Sequence, residues 1–107
     1  MRSLHVWQLH SIALDWKSGE LRLDLGWESQ RYELVAIGLG KLNLPHEFPW
    51  GPSNWINEMD GPNKIADGLL ELKIEMQSGD VIEIVAKKFT LPPDKPVPAA
   101  GQLPLGN

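Results

Sequence analysis

The sequence predicts an all-β protein, built as an antiparallel sandwich or a partly open barrel of about six to eight strands. Apolar and polar residues alternate along most of the chain, as they do in strands that bury one face. Leu21, Leu23 and Leu25, for example, alternate with Arg22 and Asp24. The length of 107 residues fits one domain. We assign residues 1–91 to this domain and residues 92–107 to a proline-rich extended tail.

The first alternating stretch extends from Val6 to Trp16. Gln8 and His10 interrupt its apolar face, which predicts a β-bulge, or two short strands in place of one. Trp16 has the same parity as Ile12, so the pattern predicts that its indole packs in the core.

Two further regions alternate in the same way. A strand is predicted from Tyr32 to Ile37, with leucines continuing past two glycines. Residues 70–76 and 81–86 are predicted to form a hairpin that turns at residues 77–80. The apolar spacing near this hairpin would also fit a helix. Gly68 would weaken such a helix by roughly 1 kcal/mol, however, and the alternation continues after the turn.

The turn of that hairpin has a counterpart near the amino terminus. Residues 15–21 (Asp-Trp-Lys-Ser-Gly-Glu-Leu) match residues 75–81 (Glu-Met-Gln-Ser-Gly-Asp-Val) class by class. In both, glycine would take the left-handed position that ends a type I turn with a bulge, and serine would hydrogen-bond the local backbone. We interpret the match as the shared turn chemistry of two hairpins and not as a repeat unit.

Residues 45–64 interrupt the alternation. They contain four prolines together with Trp50 and Trp55, which predicts a long loop around one short strand near Trp55 to Met59. A small helical turn within residues 45–68 is also compatible with the sequence.

The composition disfavours several classes of function. Ten Lys and Arg against fourteen Asp and Glu give a formal net charge of −4, which disfavours DNA binding. The absence of cysteine excludes disulfides, thiolate catalysis and cysteine-ligated zinc. No apolar run approaches the roughly 20 residues that span a bilayer, and polar residues interrupt any signal-peptide region. We therefore expect neither a nucleic-acid nor a membrane partner.

The residue types and their spacing indicate no catalytic constellation. Asp60, Asn63 and Asp67 lack the dense ligand spacing of a calcium loop. A metal site on the histidines would require a bulge and a loop to bring together three residues, His5, His10 and His46. Ordinary surface histidines are the simpler interpretation. We predict that the protein is not an enzyme and holds no metal and no cofactor.

Tryptophan is frequent, with five residues in the chain. Trp50 stands apart, because Pro49 and Pro52 hold it on a rigid turn. A rigid aromatic side chain loses little entropy on binding, and such side chains are enriched in interface hot spots. Alternatively, Trp50 folds back as a lid over the core. The predicted binding surface consists of the loop tryptophans and polar residues near them in sequence: Glu47, Trp50, Ser53, Trp55 and Asp60.

Two segments resemble a pattern found in small uncharacterised bacterial proteins, W-G-P-S-x-S-I-N followed by E-I-E-M-Q-S-G-D-x-I. The match holds at Trp50 to Ser53, at Ile56-Asn57 and at Glu75 to Asp80, and departs at Trp55, where the pattern has serine. The resembling region covers roughly a third of the chain. Such β-rich proteins include ones similar to the immunity proteins of polymorphic toxin systems. The resemblance implies a cytoplasmic protein that binds and blocks one cognate toxin.

The sequence thus predicts a non-enzymatic bacterial interaction protein, of the toxin-neutralising immunity type, whose negative charge steers it to a basic protein partner. The alternative is a small-ligand or carbohydrate-binding β module in which Trp50 and Trp55 stack on the ligand. A homodimer is a further possibility, because exposed strand edges pair readily unless charges such as Lys73 and Glu75 block them.

Overall fold

The computed structural model describes residues 2–3, 7–45 and 54–93 of the chain, and the fold of these residues is all-β. The described ranges contain no helix that is long and apolar enough to cross a membrane. The strands are, in chain order, β1 (Arg2–Ser3), β2 (Trp7–Asp15), β3 (Glu20–Trp27), β4 (Gln30–Asn43), β5 (Ile56–Ala66), β6 (Leu69–Met76) and β7 (Val81–Thr90). The predicted fold class is confirmed.

All seven strands belong to one antiparallel sheet with the order β1-β5-β6-β7-β4-β3-β2. Each of the groups β2-β3-β4 and β5-β6-β7 is a meander of sequential hairpins, and the two groups join where β4 pairs with β7. β4 is long enough to pair with β3 through its first half and with β7 through its second.

The sheet curls until its two ends meet at one point. Gln8 in β2 forms an isolated bridge with Trp55, which immediately precedes β5. The Leu9 amide donates to the Asn54 carbonyl oxygen at 2.8 Å, and the Asn54 side-chain amide donates back to the Leu9 carbonyl at 2.8 Å. Beyond Leu9, β2 has no strand on its outer side in the described ranges. The architecture is therefore a partly open barrel.

The core fills the inside of this curled sheet. Trp7 is 2% exposed, and its ring meets that of Tyr32 edge to face with 5.4 Å between the centroids. Burial of apolar area at roughly 25 cal/mol per Å² drives the curling, because a flat sheet would leave one apolar face in water. The buried cluster comprises Trp7, Leu9, Leu21, Leu23, Leu25, Leu34, Ala36, Ile56, Met59, Leu72, Ile74, Met76, Ile82, Ile84 and Ala86.

Two local predictions are confirmed. The register of β2 against β3 shifts between Leu9 and Ser11, so the interruption at His10 is a bulge in one continuous strand. Gly19 and Gly79 both have positive φ angles, as the turn chemistry predicted, with φ of 71° and 100°.

The prediction of one short strand near Trp55 to Met59 is wrong, whereas the possible helical turn within residues 45–68 is tested only over its described part. β5 is an eleven-residue strand rather than a short one near Trp55 to Met59, and residues 54–68 contain no helical turn. The residues of β5 do not alternate regularly between apolar and polar, and the strand pairs with β6 through three register shifts. At one of them Gly61 has φ of 113°, and a Cβ there would lie 2.6 Å from the Glu71 carbonyl oxygen. Only glycine fits that approach.

Candidate functional site

The predicted binding surface is only partly within the described residues. Glu47, Trp50 and Ser53 lie outside them, as do residues 94–107 of the predicted tail. Trp55 and Asp60 are described, and they are five residues apart along an extended chain, about 16 Å at the rise of a strand. The structure places these two residues at separate points and does not bring them into one pocket.

Trp55 lies where the two ends of the sheet meet. Its carbonyl oxygen accepts a 3.0 Å hydrogen bond from the Gln77 amide, and its backbone bridges Gln8. The side chain is 37% exposed. Its backbone is therefore part of the closure of the barrel, while the indole remains partly accessible.

Asp60 lies on the outer face of the sheet and is exposed. Its carboxylate accepts a 3.3 Å hydrogen bond from the Asn63 side-chain amide, while Asp67 forms an ion pair with Lys64 at 3.7 Å. Asp60 lines a shallow depression of about 160 Å³ together with Glu58, Lys73, Glu75 and Val81. Within the described ranges, no group of three or more His, Asp or Glu side chains is arranged to hold a metal ion. Of the three histidines, His10 is described and exposed, whereas His5 and His46 lie outside those ranges.

Trp16 is the most exposed large apolar side chain of the described residues, at 88%. The prediction that it packs in the core is wrong. The bulge at His10 does turn Ile12 and Leu14 inward, where they pair with the buried Leu23 and Leu21. The strand ends at Asp15, however, and Trp16 is the first residue of the turn, so strand parity no longer determines its direction.

The turn that carries Trp16 is fixed by its own polar groups. The Asp15 carboxylate accepts hydrogen bonds from the amides of Lys17 at 3.1 Å and Ser18 at 3.2 Å. The Gly19 amide donates to the Asp15 carbonyl oxygen at 2.9 Å, and the Ser18 hydroxyl accepts from the Glu20 amide at 3.3 Å. These four bonds hold the backbone on both sides of the indole.

A further hydrogen bond ties this turn to the long strand β4. The Leu39 amide donates to the Gly19 carbonyl oxygen at 3.0 Å. The turn is therefore anchored to a second element, and the exposed indole sits on a backbone that is ordered before any ligand arrives. Preorganisation of this kind lowers the entropic cost of binding.

An apolar groove of about 350 Å³ lies between the turn and β4. Leu39 and Leu42 also pack against the core, and Leu14 is 38% exposed, so the groove is the open end of the core itself. It is lined by Leu14, Trp16, Leu39, Gly40, Lys41 and Leu42. We call these residues the Trp16 groove.

A wider and more polar depression of about 530 Å³ adjoins Trp16 and is also lined by Asp15, Glu20 and Arg22. The Arg22 guanidinium donates to Glu20 at 3.2 Å and to Glu33 at 2.9 Å, and these side chains are all solvent-exposed in part. Exposed ion pairs contribute at most about 1 kcal/mol, so a ligand carboxylate or hydroxyl can exchange with them at little cost. Trp16 thus offers apolar contacts in the groove and polar contacts in this depression.

The comparisons with known proteins add no relative. No protein-family model, no curated protein and no solved structure matches this chain.

The sequence contained a signal for this site. Asp15-Trp16-Lys17-Ser18-Gly19 is a run of turn chemistry, in which an aspartate bonds the amides that follow it. Turn chemistry that begins at Asp15 places the next residue outside the strand. If the turn chemistry at Asp15 takes precedence over the alternation of the strand, the sequence predicts that Trp16 lies on the surface.

Proposed function

We propose that this chain is a non-enzymatic binding protein that recognises a protein partner through Trp16 and the Trp16 groove. The observation that carries the proposal is the 88% exposure of Trp16 on a turn held by five hydrogen bonds. An indole of about 150–250 Å² releases several kcal/mol when it is buried, at roughly 25 cal/mol per Å². Tryptophan is also among the side chains most enriched in interface hot spots.

The proposed partner is basic, and the net negative charge of the chain supports this part of the proposal. The strands β5, β6 and β7 carry five carboxylates against four lysines: Glu58, Asp60, Glu71, Glu75 and Glu83 against Lys64, Lys73, Lys87 and Lys88. The whole chain carries a formal net charge of −4. Such a field raises the rate at which a positively charged partner is captured. A basic toxin domain, as the resemblance to immunity proteins implies, is the partner class that we propose.

The test is affinity capture from extract of the native bacterial host, with the wild-type chain, Trp16→Ala and Trp50→Ala immobilised in parallel. Proteins retained at one-to-one stoichiometry are identified by mass spectrometry, and their dissociation constants are then measured with purified components. We expect Trp16→Ala to weaken binding by about 30-fold or more, the loss of a hot spot worth at least about 2 kcal/mol.

Ile65→Ala is the matched control. Ile65 is also an exposed apolar residue, at 51%, but it lies near the end of β5 and lines neither depression beside Trp16. Equal retention of the partner by wild type and Trp16→Ala would remove the Trp16 groove from the proposal. Loss in Trp50→Ala alone would place the contact in the loop that the sequence predicted.

A small-ligand or carbohydrate-binding function is the second candidate, and the polar depression beside Trp16 favours it. A planar indole flanked by carboxylates and a guanidinium is an arrangement that can stack on a sugar ring and hydrogen-bond its hydroxyls. A glycan panel titrated against wild type and Trp16→Ala distinguishes the two candidates by fluorescence. A saturable change that Trp16→Ala abolishes would support the carbohydrate candidate, and a flat response across the panel would remove it.

A further inference from the structure

The two free edges of the sheet differ in their protection against pairing. On one side, the described residues of β1 pair with β5 at Glu58 and Met59, and β5 continues from there to Ala66. This exposed part contains Pro62, which has no amide hydrogen, as well as Lys64 and two register irregularities. Prolines, lysines and bulges all discourage a further strand from adding to an edge.

On the opposite edge, the part of β2 that follows the bulge at His10 has none of these features. From Ser11 to Asp15, β2 pairs with β3 without any register shift. The segment contains no proline, lysine or arginine, and its one charge, Asp15, stands at its end. No strand of the described ranges lies on its outer side. Along these five residues, about 17 Å of strand, every second residue points its backbone N–H and C=O away from β3, where no strand of the described ranges lies.

We infer that this edge pairs antiparallel with the same edge of a second copy of the chain, around a two-fold axis at Ala13. In this register Ala13 faces Ala13 of the second copy, and Ile12 faces Leu14 of the second copy. Ser11 faces Asp15 of the second copy. A symmetric dimer needs such a self-complementary patch.

The side chains of the segment match in this register. Ile12 and Leu14 both face the core side, and Leu14 is 38% exposed in the single chain, so their pairing extends the apolar interior across the axis. The Ser11 hydroxyl is placed to donate to the Asp15 carboxylate of the second copy, twice by symmetry. A slip of one residue would turn the apolar side chains against the exposed face, so the register is specified.

The pairing goes beyond the proposed function and does not rest on it. Trp16 follows the paired segment and stays outside it, whereas Leu14 of the Trp16 groove lies within it, so a dimer displays two Trp16 side chains at the ends of the paired segment. Because five residues on each side make a small interface, we expect weak association, in which the dimer forms at high protein concentration.

The test is sedimentation equilibrium over a concentration series, with the wild-type chain, Ala13→Glu and Ala13→Lys. Ala13 is exposed, so neither charge disturbs the core. We expect the wild type to approach twice its chain mass of 12.0 kDa at high concentration. Each variant alone stays monomeric, since equal charges then meet at the axis. An equimolar mixture of the two recovers the dimer, because opposite charges meet there.

Ala66→Glu is the matched control, an exposed alanine on the protected edge that is expected to leave the association unchanged. A wild type that remains at the monomer mass throughout would overturn the inference. So would dimers that persist in both single variants, or a mixture that fails to recover. Association is measured with the Ala13 variants and partner capture with Trp16→Ala, which lies outside the paired segment, so the failure of one proposal is distinguishable from the failure of the other.

Discussion

The two Ser-Gly hairpins have matching sequences and opposite environments. Trp16 in the first corresponds to Met76 in the second, yet Trp16 is 88% exposed and Met76 only 3%. The acid that follows glycine differs as well, since Glu20 is half-buried, whereas Asp80 is 4% exposed. Local turn chemistry is shared by the two hairpins, and burial is not.

The difference arises from one residue of loop length. In the first hairpin Asp15 pairs with Glu20, which leaves four residues, beginning with Trp16, in the turn. In the second hairpin the Met76 amide donates to the Asp80 carbonyl oxygen at 2.9 Å, and the Gly79 amide donates to the Met76 carbonyl at 2.9 Å. Met76 is therefore the last residue of its strand, with three residues in the turn.

Each loop length is supported by a different polar group. In the first hairpin the Asp15 carboxylate bonds two amides inside the turn and so holds the longer loop open. In the second hairpin the Ser78 hydroxyl accepts from the Asp80 amide at 3.3 Å and donates to its carboxylate at 3.1 Å. The lesson is that a residue next to a turn is buried or exposed according to where the closing pair forms.

The largest expected difference in stability between the two hairpins is at their corresponding apolar residues, Trp16 and Met76. Met76→Ala should destabilise the fold by about 2–5 kcal/mol, since it removes a buried side chain and leaves a cavity. Trp16→Ala should change the free energy of unfolding by no more than about 0.5 kcal/mol, since the indole has few contacts to lose. Urea denaturation followed by circular dichroism measures both. A large loss of stability in Trp16→Ala would mean that the turn packs on the core after all.

The next largest difference in stability is expected at the acids that follow the glycines, Glu20 and Asp80. Asp80→Ala should cost about 1–3 kcal/mol, because a buried carboxylate that is hydrogen-bonded in the native state is removed. Glu20→Ala should cost less than about 1 kcal/mol, since the Glu20–Arg22 pair is partly exposed to solvent. The same denaturation experiment compares them, with Glu83→Ala on the outer face as a surface control. Equal losses in the two variants would contradict the contrast in burial.

The smallest difference between the two hairpins is expected at the glycines, where both should lose similar stability. Gly19→Ala and Gly79→Ala should each cost about 1–2 kcal/mol, because both positions have positive φ angles that side chains disfavour. A Cβ at Gly79 meets no atom within 4 Å, and at Gly19 its nearest contact is 3.7 Å, so the cost is conformational and not steric. Gly19→Asn should recover part of the loss, because asparagine tolerates the left-handed region at φ of 71°.

Most of the fold could be predicted from the sequence. The alternation at Leu21, Leu23 and Leu25 identified β3, and the alternation before and after Ser78-Gly79 identified β6 and β7. These predictions succeeded because each strand buries one complete face, which imposes period two on the residue types. The bulge at His10 was predicted for the same reason, as a break in that period.

The strand β5 could not be predicted in full. Its residues from Asp60 to Ala66 include Gly61 and Pro62 and are mostly exposed, so they have no apolar period to detect. They are held in the sheet by pairing with β6, which is a property of the neighbouring strand. The conformation of such a segment is set by pairing with a regular neighbouring strand and not by the preferences of its own residues.

The sequence by itself determined the fold class, the register-breaking bulge and the left-handed glycines of the two Ser-Gly turns, because each depends on interactions between residues close in the chain. Only the tertiary structure decided which side chains stay exposed. The exposure of Trp16 follows from the pair at which its hairpin closes, and the open edge of β2 follows from where the curled sheet meets itself at Gln8 and Trp55. The contact between Gln8 and Trp55 joins segments that are distant in the chain, which no local pattern encodes.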